Sequence, residues 1–342
     1  MYVRRNLHFG RIAMNIEHLA DTLLQLVEQA SQIAISTHRE SDGDGMVAAF
    51  ALQYYLKCIG RKSTIISDGE DLGRYFFLKE DREVIPYSPD CSFDLVIVVD
   101  CNSYDRLGAR VDLVRNAKQV VVIDHHVIEH NPIQAQLSFI DSTYASVGAV
   151  LYAAFAQKLP ALSSAQQRYF AECVYVTLLN DTNGFVNANT DEKVFELAAS
   201  LVRHGTQVNH LYMDFMQNHT AGEMKYIGAT LATIELVEDQ QILLMHSAYA
   251  LKQQCQVDPE TFKQATRYVQ GVKGLKAIVY FREDQPGEWK LSFRSLEIDV
   301  QKIASKYGGG GHRQASGCQI SGSLAEIKKM LTEDLKKAIA GL

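Results

Sequence analysis

Two uninterrupted apolar runs, Leu95-Val-Ile-Val-Val99 and Val120-Val-Val-Ile123, constrain this chain more than any other feature. A strand that alternates apolar and polar residues has one wet face, whereas a strand that is apolar throughout must be covered on both. Ile33-Ala-Ile35-Ser36 and Thr64-Ile-Ile66 read as shorter strands of the same kind. Helical stretches lie between and around them. Ile16, Leu19, Ala20, Leu23, Leu24 and Val27 fall on one face of a helix over residues 15–30. A second helix runs from Asp44 to a stop near Gly60, and residues 144–158 and 164–179 are helical in pattern. Strands alternating with helices predict an α/β fold, a doubly wound and mostly parallel sheet with helices on both faces.

Buried strands leave polar residues only one place to emerge, the strand ends. Asp100 directly follows Leu95–Val99, and Asp124 directly follows Val120–Ile123. His38 follows Ile33–Ser36 by the same logic. In parallel strands these ends share one edge of the sheet, where ligands of open α/β sheets bind. Three sequence-distant clusters are therefore expected to converge.

The 342 residues suffice for two domains. We expect a flexible tail over 1–14 (or an upstream start ahead of Met14), a first domain over 15–190, a helical connector over 191–222 and a second α/β domain over 223–342. Strands of the second domain are expected at Gln241–Met245, Lys276–Phe281 and Lys290–Arg294, with a last helix over 323–340. Gln285-Pro-Gly-Glu288 is expected to turn two of them into a hairpin. The net charge of −6 argues against a generally basic nucleic-acid surface. The six cysteines contain no Cys-x-x-Cys pair, so reduced thiols and a cytoplasmic setting are expected. The arginines of the first residues precede no apolar core of a secretory signal. No run of about 18 apolar residues suggests a membrane span.

The strand-end clusters carry the chemistry. His38, Asp42 and Asp44 form the pattern H-x-x-x-D-x-D, with Gly43 and Gly45 expected to let the backbone turn tightly between the carboxylates. One aspartate there would be an ordinary helix cap; two with a histidine exceed that need. In Asp124-His125-His126, adjacent histidines point in different directions, so one can bind metal while the other meets a phosphate. Asp181 opens Asp-Thr-Asn-Gly-Phe. Asp100 and Asp181 are individually weak signals, and their weight comes from the set. Two histidines and four aspartates match two six-coordinate divalent ions. One carboxylate must bridge them, since such ions lie about 3.5–4 Å apart. Oxygen-rich coordination with some imidazole favours Mn²⁺ or Mg²⁺ over a structural zinc.

Downstream, the run Gly308-Gly-Gly-Gly-His312 allows backbone amides to approach an anion closely. Lys290, Arg294, Lys302, Lys306 and Arg313 outnumber Glu297 and Asp299 around it. Arg294 and His312 are candidates for gripping a phosphate, Ser295 for adding a hydroxyl, and Gly309, Gly310 and Gly311 for the close approach. Trp289, Tyr75, Phe76 and Phe77 read better as core than as base-stacking platforms.

The ordered set resembles the DHH phosphoesterase superfamily over roughly residues 15–320. Asp124-His125-His126 matches its namesake element, and Asp100-Cys-Asn-Ser-Tyr-Asp-Arg106-Leu-Gly108 its second motif. Gly308–Gly317 and Lys290-Leu-Ser-Phe-Arg294-Ser295 resemble its DHHA1 C-terminal domain. Within the superfamily the chain is similar to oligoribonuclease (nanoRNase)/pAp phosphatase-like proteins. The resemblance implies that His38, Asp42 and Asp100 hold one ion and that Asp44, Asp100, His125 and Asp181 hold the other. It places His126 beside the phosphate or leaving group, with Asp124 orienting a histidine. It implies an Mn-dependent hydrolase of short oligonucleotides, linear dinucleotides and pAp, with no role for long duplexes or membranes and with a homodimer left open. Glu40-Ser41 stands where many relatives of this type have Arg-Pro, and Gly45-Met46-Val47-Ala48 where they have Ala-x-Gly-Ser. No metal ligand is lost, so substrate choice is the open point. Cyclic-dinucleotide hydrolysis is a same-class alternative, and a catalytically silent nucleotide-binding regulator one of a different class. A family II pyrophosphatase fits less well, because its second domain carries a basic signature and no GGGH loop.

Overall fold

The computed structural model describes residues 15–69, 72–78, 80–257 and 265–341, and of His312 only the backbone. The tail expected over 1–14 lies outside the described residues. The chain divides into two compact units, one ending at Asn218 and one beginning at His219.

The first unit is built on six strands: β1 (Ile33–Ser36), β2 (Thr64–Ser67), β3 (Val84–Pro86), β4 (Leu95–Val99), β5 (Gln119–Asp124) and β6 (Leu137–Ile140). They form a parallel sheet in the order β3-β2-β1-β4-β5-β6. The order reverses between β1 and β4, the switch point at which crossovers diverge and a crevice opens at the strand ends. The apolar runs behave as their composition requires. Ile97, Val99, Val121 and Ile123 pack on one face, and Val96, Val98, Val120 and Val122 on the other. The first face is covered by α1 (Ile16–Gln29), α2 (Gly43–Cys58), α4 (Val147–Phe155) and α5 (Ser164–Asp181). The second carries the short α3 (Val111–Asn116) together with Cys101, Leu107 and Ile133. α2 is apolar nearly all round and is buried accordingly from Gly43 to Gln53. The stretch 191–222, expected as a connector, holds α6 (Glu192–Arg203) and α7 (Val208–Met216), which pack on α5 within this unit.

In the second unit, β7 (Glu235–Val237), β8 (Ile242–Ser247), β9 (Ala277–Gln285), β10 (Glu288–Arg294), β11 (Gly310–His312) and β12 (Ala315–Ser321) form a mixed sheet in the order β11-β12-β10-β9-β8-β7. Only β8 and β9 run parallel. The expected hairpin joins β9 to β10. Helices α10 (Val300–Lys306) and α11 (Leu324–Ala340) cover Val279, Leu291 and Phe293 on one face. On the other, α8 (Ala221–Leu231) sets Tyr226 against Met245 and Tyr280, with the short α9 (Tyr249–Cys255) beside it. Trp289 belongs to the first of these cores and Tyr75 to the core of the first unit, whereas Phe76 is exposed.

Candidate metal centre

The strand-end clusters meet at the switch point. His38 stands two residues beyond β1, and Asp100 immediately beyond β4. Asp100 adopts a left-handed φ of 60°, and its backbone N–H donates to the Ile123 carbonyl at 3.0 Å. A non-glycine residue in that region is strained and persists where its surroundings over-determine it. The turn aims the two carboxylate oxygens at different neighbours. Oδ2 lies 3.4 Å from His38 Nε2, and Oδ1 lies 3.5 Å from His125 Nε2 and 3.4 Å from His126 Nδ1.

Around these atoms three groups form: His38 with Asp42 and Asp100, Asp44 with His125 and Asp181, and Asp100 with Asp124, His125 and His126. Asp42 caps α2, accepting the N–H groups of Asp44 and Gly45 at 3.0 and 3.4 Å. Asp44 is fully buried and accepts the N–H groups of Val147 and Gly148 at 2.7 and 3.3 Å, so it also caps the start of α4. Asp181 is the last residue of α5 and does not open the turn beyond it, as the sequence had suggested. Its Oδ2 lies 3.1 Å from His125 Nε2, which also faces Asp44 Oδ2 at 3.3 Å. The glycines serve a purpose other than the tight turn expected of them. Both lie inside α2, and neither has a positive φ. A methyl on Gly43 would lie 2.6 Å from the Phe215 ring and 2.7 Å from Asn180 Oδ1; one on Gly45 would lie 2.8 Å from Ser41 Oγ and 3.0 Å from Asp100 Oδ2.

The histidines are oriented from behind. His38 Nδ1 meets the Arg39 carbonyl at 2.7 Å, and His125 Nδ1 meets the Tyr144 carbonyl at 3.2 Å. A carbonyl partner fixes the proton on Nδ1 and leaves the Nε2 lone pair for a metal. His126 differs, because its Nδ1 faces the Asp124 carboxylate at 2.9 Å. Asp124 also accepts the N–H groups of His125 and His126 at 2.7 and 3.2 Å, and Asn102 Nδ2 at 2.6 Å. It orders the turn with every one of these bonds.

Electrostatics tests whether this set fits a cation. Burial, then the nearby Asp181 and Asp100 charges, push the Asp44 carboxyl well above its usual range. Burial also raises Asp181. Burial disfavours a charged His38, but Asp100 and Asp42 outweigh it and carry its pKa up to about 10. The Asp124 hydrogen bond raises His126 against the opposition of burial. Asp100 Oδ1 and His125 Nε2 are buried without a hydrogen-bond partner among the described residues. One imidazole proton cannot serve three carboxylates, whereas a divalent cation among them satisfies all. The donor set fits divalent ions, with Asp100 grouped with His38 and Asp42 on one side and with Asp124, His125 and His126 on the other.

All eight residues expected in the first unit therefore come together. In the second unit, register places Arg294 and His312 on either side of Ala315. Arg294 is half-buried, and its one hydrogen-bond partner among the described residues is the Phe293 carbonyl at 2.8 Å. The His312 side chain lies outside the described residues. The glycine run ends in the edge strand β11, which takes in Gly310 and Gly311 but not Gly308 or Gly309. A methyl on Gly309 would lie 2.1 Å from the Gly317 carbonyl, and one on Gly311 2.6 Å from that of Ala315, whereas Gly310 faces open space. Of the three, Gly310 retains the room for close approach. Ser295 is a correction. Its hydroxyl donates to the Lys276 carbonyl at 2.6 Å and accepts the Glu297 and Ile298 N–H groups at 3.1 and 2.9 Å, which exhausts its donor and lone pairs. The sequence reading missed Asn102, which also holds the Val127 carbonyl and the Glu129 N–H. Its place two residues after Asp100 was the one available signal.

Fold and site thus define an open α/β domain with a candidate divalent-metal centre at its strand ends, and comparison with known proteins gives its family. The profile of the DHH family N-terminal domain matches residues 32–178, and that of the DHHA1 domain matches residues 246–340. The chain belongs to the DHH family, and it is a phosphoesterase. It is 27% identical to the bifunctional oligoribonuclease and PAP phosphatase NrnA of Thermus thermophilus, over 94% of both chains. It is 24% identical to the protein of that description from Mycoplasma genitalium, over 92% of this chain and 96% of the relative. An exopolyphosphatase-related protein from Bacteroides fragilis shares the fold, with a TM-score of 0.83 at 18% identity over 96% of this chain and 98% of that one.

Proposed function

We propose that this protein hydrolyses short oligonucleotides, linear dinucleotides and pAp with two divalent ions, Mn²⁺ foremost and Mg²⁺ as the substitute. The observation that carries the reading is the divided carboxylate of Asp100, one oxygen toward His38 and the other toward His125. His38, Asp42 and Asp100 would hold one ion; Asp44, Asp100, His125 and Asp181 would hold the other. Bound there, such ions supply Lewis acidity and lower the pKa of water enough to make it a nucleophile at neutral pH. The protein's own groups do the remainder. Asp124 aims His126 through its Nδ1 and favours its charged form, which can offer a hydrogen bond to a phosphate or leaving-group oxygen. Arg294 offers a guanidinium fork with four N–H groups to spare for a substrate phosphate. The two NrnA relatives, an oligoribonuclease and PAP phosphatase in each case, support short oligonucleotides and pAp as substrates. The six free thiols agree with a reducing, cytoplasmic setting.

The test is a panel of pAp, linear dinucleotides, short RNAs and cyclic dinucleotides with Mn²⁺, comparing wild type with Asp100→Ala. We expect turnover of the linear substrates and pAp, and its loss in a folded variant. Full activity in Asp100→Ala contradicts the assignment. Turnover confined to cyclic dinucleotides replaces the substrate class.

A further inference from the structure

The largest wholly buried side chain among the described residues is a charged one, Arg110, and the reaction above does not use it. Its Nη1 donates to Ser36 Oγ at 3.2 Å and to the Ile66 carbonyl at 2.9 Å. Its Nη2 donates to the His38 carbonyl at 2.9 Å and to Asp68 Oδ2 at 3.0 Å. These acceptors belong to the ends of two neighbouring strands, to a metal-ligand candidate and to the turn after β2. Burying a charge costs several kcal/mol even when it is paired. A planar fork with fixed donors is what that cost maintains here, since a lysine ammonium cannot hold acceptors from separate segments at set angles.

The fork acts on one peptide unit in particular. The carbonyl of the His38–Arg39 peptide accepts from Arg110, while its N–H donates to the Arg106 carbonyl at 2.7 Å. The peptide is thus held at both ends. The next carbonyl, that of Arg39, is the one that meets His38 Nδ1. The direction of His38 Nε2 therefore depends on a backbone unit that Arg110 clamps, and Asp68 holds the clamp from the strand-end turn.

We propose that Arg110 is a positioning residue for the His38 half of the metal centre, with Asp68 as its anchor. The inference rests on the metal reading given above. The test is calorimetric titration of the full chain with Mn²⁺ alone, for wild type, His38→Ala, Arg110→Lys and Asp68→Asn. Wild type is expected to bind two ions. Arg110→Lys should weaken one of them by about 10–100-fold, the usual consequence of losing an outer partner of a ligand. That ion should be the one His38→Ala loses, and the other should stay within about twofold. The double variant His38→Ala/Arg110→Lys should bind as His38→Ala alone does. Asp68→Asn should weaken the same ion by a smaller factor. Its side chain is partly exposed, so it carries the comparison if Arg110→Lys does not fold. Unchanged affinities in both variants, or equal weakening of both ions, overturn the proposal. A wild-type chain that binds two ions but hydrolyses no panel substrate removes the proposed function alone.

Discussion

Gly45→Ala separates the metal centre from the stability of the helix that carries it. Replacing glycine by alanine inside a helix stabilises it by up to about 1 kcal/mol. At Gly45 the added methyl lies 2.8 Å from Ser41 Oγ and 3.0 Å from Asp100 Oδ2, so each must retreat by a few tenths of an ångström. Ser41 Oγ is buried but makes no hydrogen bond among the described residues, so it loses none by moving. Asp100 is buried and held in a left-handed turn by its bond to Ile123. Overpacking costs about 1–3 kcal/mol where neighbours cannot yield, and here it largely offsets the helix gain. The melting temperature should stay close to that of wild type. Function should not, because sites need their groups within about 0.5 Å and an error of about 1 Å costs on the order of 100-fold. We expect kcat/KM to fall about 10–100-fold with a parallel loss of Mn²⁺ affinity. Gly228→Ala in α8 is the control, since a methyl there meets nothing within 4 Å; it should stabilise by about 0.5–1 kcal/mol. Thermal melts, Mn²⁺ titration and steady-state kinetics on both variants decide the matter. Wild-type activity and metal affinity in Gly45→Ala would refute the argument.

Asn102→Ala leaves a buried Asp124 oxygen without its 2.6 Å donor, and we expect about 1–3 kcal/mol of destabilisation with kcat falling more than KM rises. Asn102→Asp should be worse, because it sets a second carboxylate against Asp124; equal tolerance of both in melts and kinetics would contradict this. In the second unit, burial alone would raise the Asp334 carboxyl, but Lys306 and Tyr307 outweigh it and hold it below the usual range. A depressed carboxylate contributes stability above its unfolded pKa of about 3.9, and that contribution is lost as pH falls through the folded value. Melting of wild type should therefore drop below about pH 4 more steeply than that of Asp334→Asn; parallel curves would contradict the pairing.

The parallel sheet and the meeting of its polar ends followed from composition, because strands apolar on both faces can release polar side chains only at their ends. β3 and β12 escaped that logic. Pro86 and partial exposure disguise the first, and Gly317 with alternating polar residues the second. The candidate ligands stood out by type and order, whereas the contacts that hold them in place did not. Asp44 doubles as a cap for α4, a contact across about a hundred residues that no local pattern encodes. Gly43 and Gly45 read as turn residues, yet space decides them, and space belongs to the packed state. Ser295 looked like a free hydroxyl because one of its three partners, the Lys276 carbonyl, lies 19 residues away. Arg110 gave no signal, because sequence does not tell a buried guanidinium from a solvated one.

The central claim is that one carboxylate, Asp100, joins two divalent ions. Electron paramagnetic resonance of the Mn²⁺-loaded chain, with titration of its metal content, tests it directly. The account predicts two Mn²⁺ per chain with an exchange-coupled spectrum, and loss of the coupling in Asp100→Ala. One Mn²⁺ per chain, or two with the spectrum of isolated ions, would contradict it.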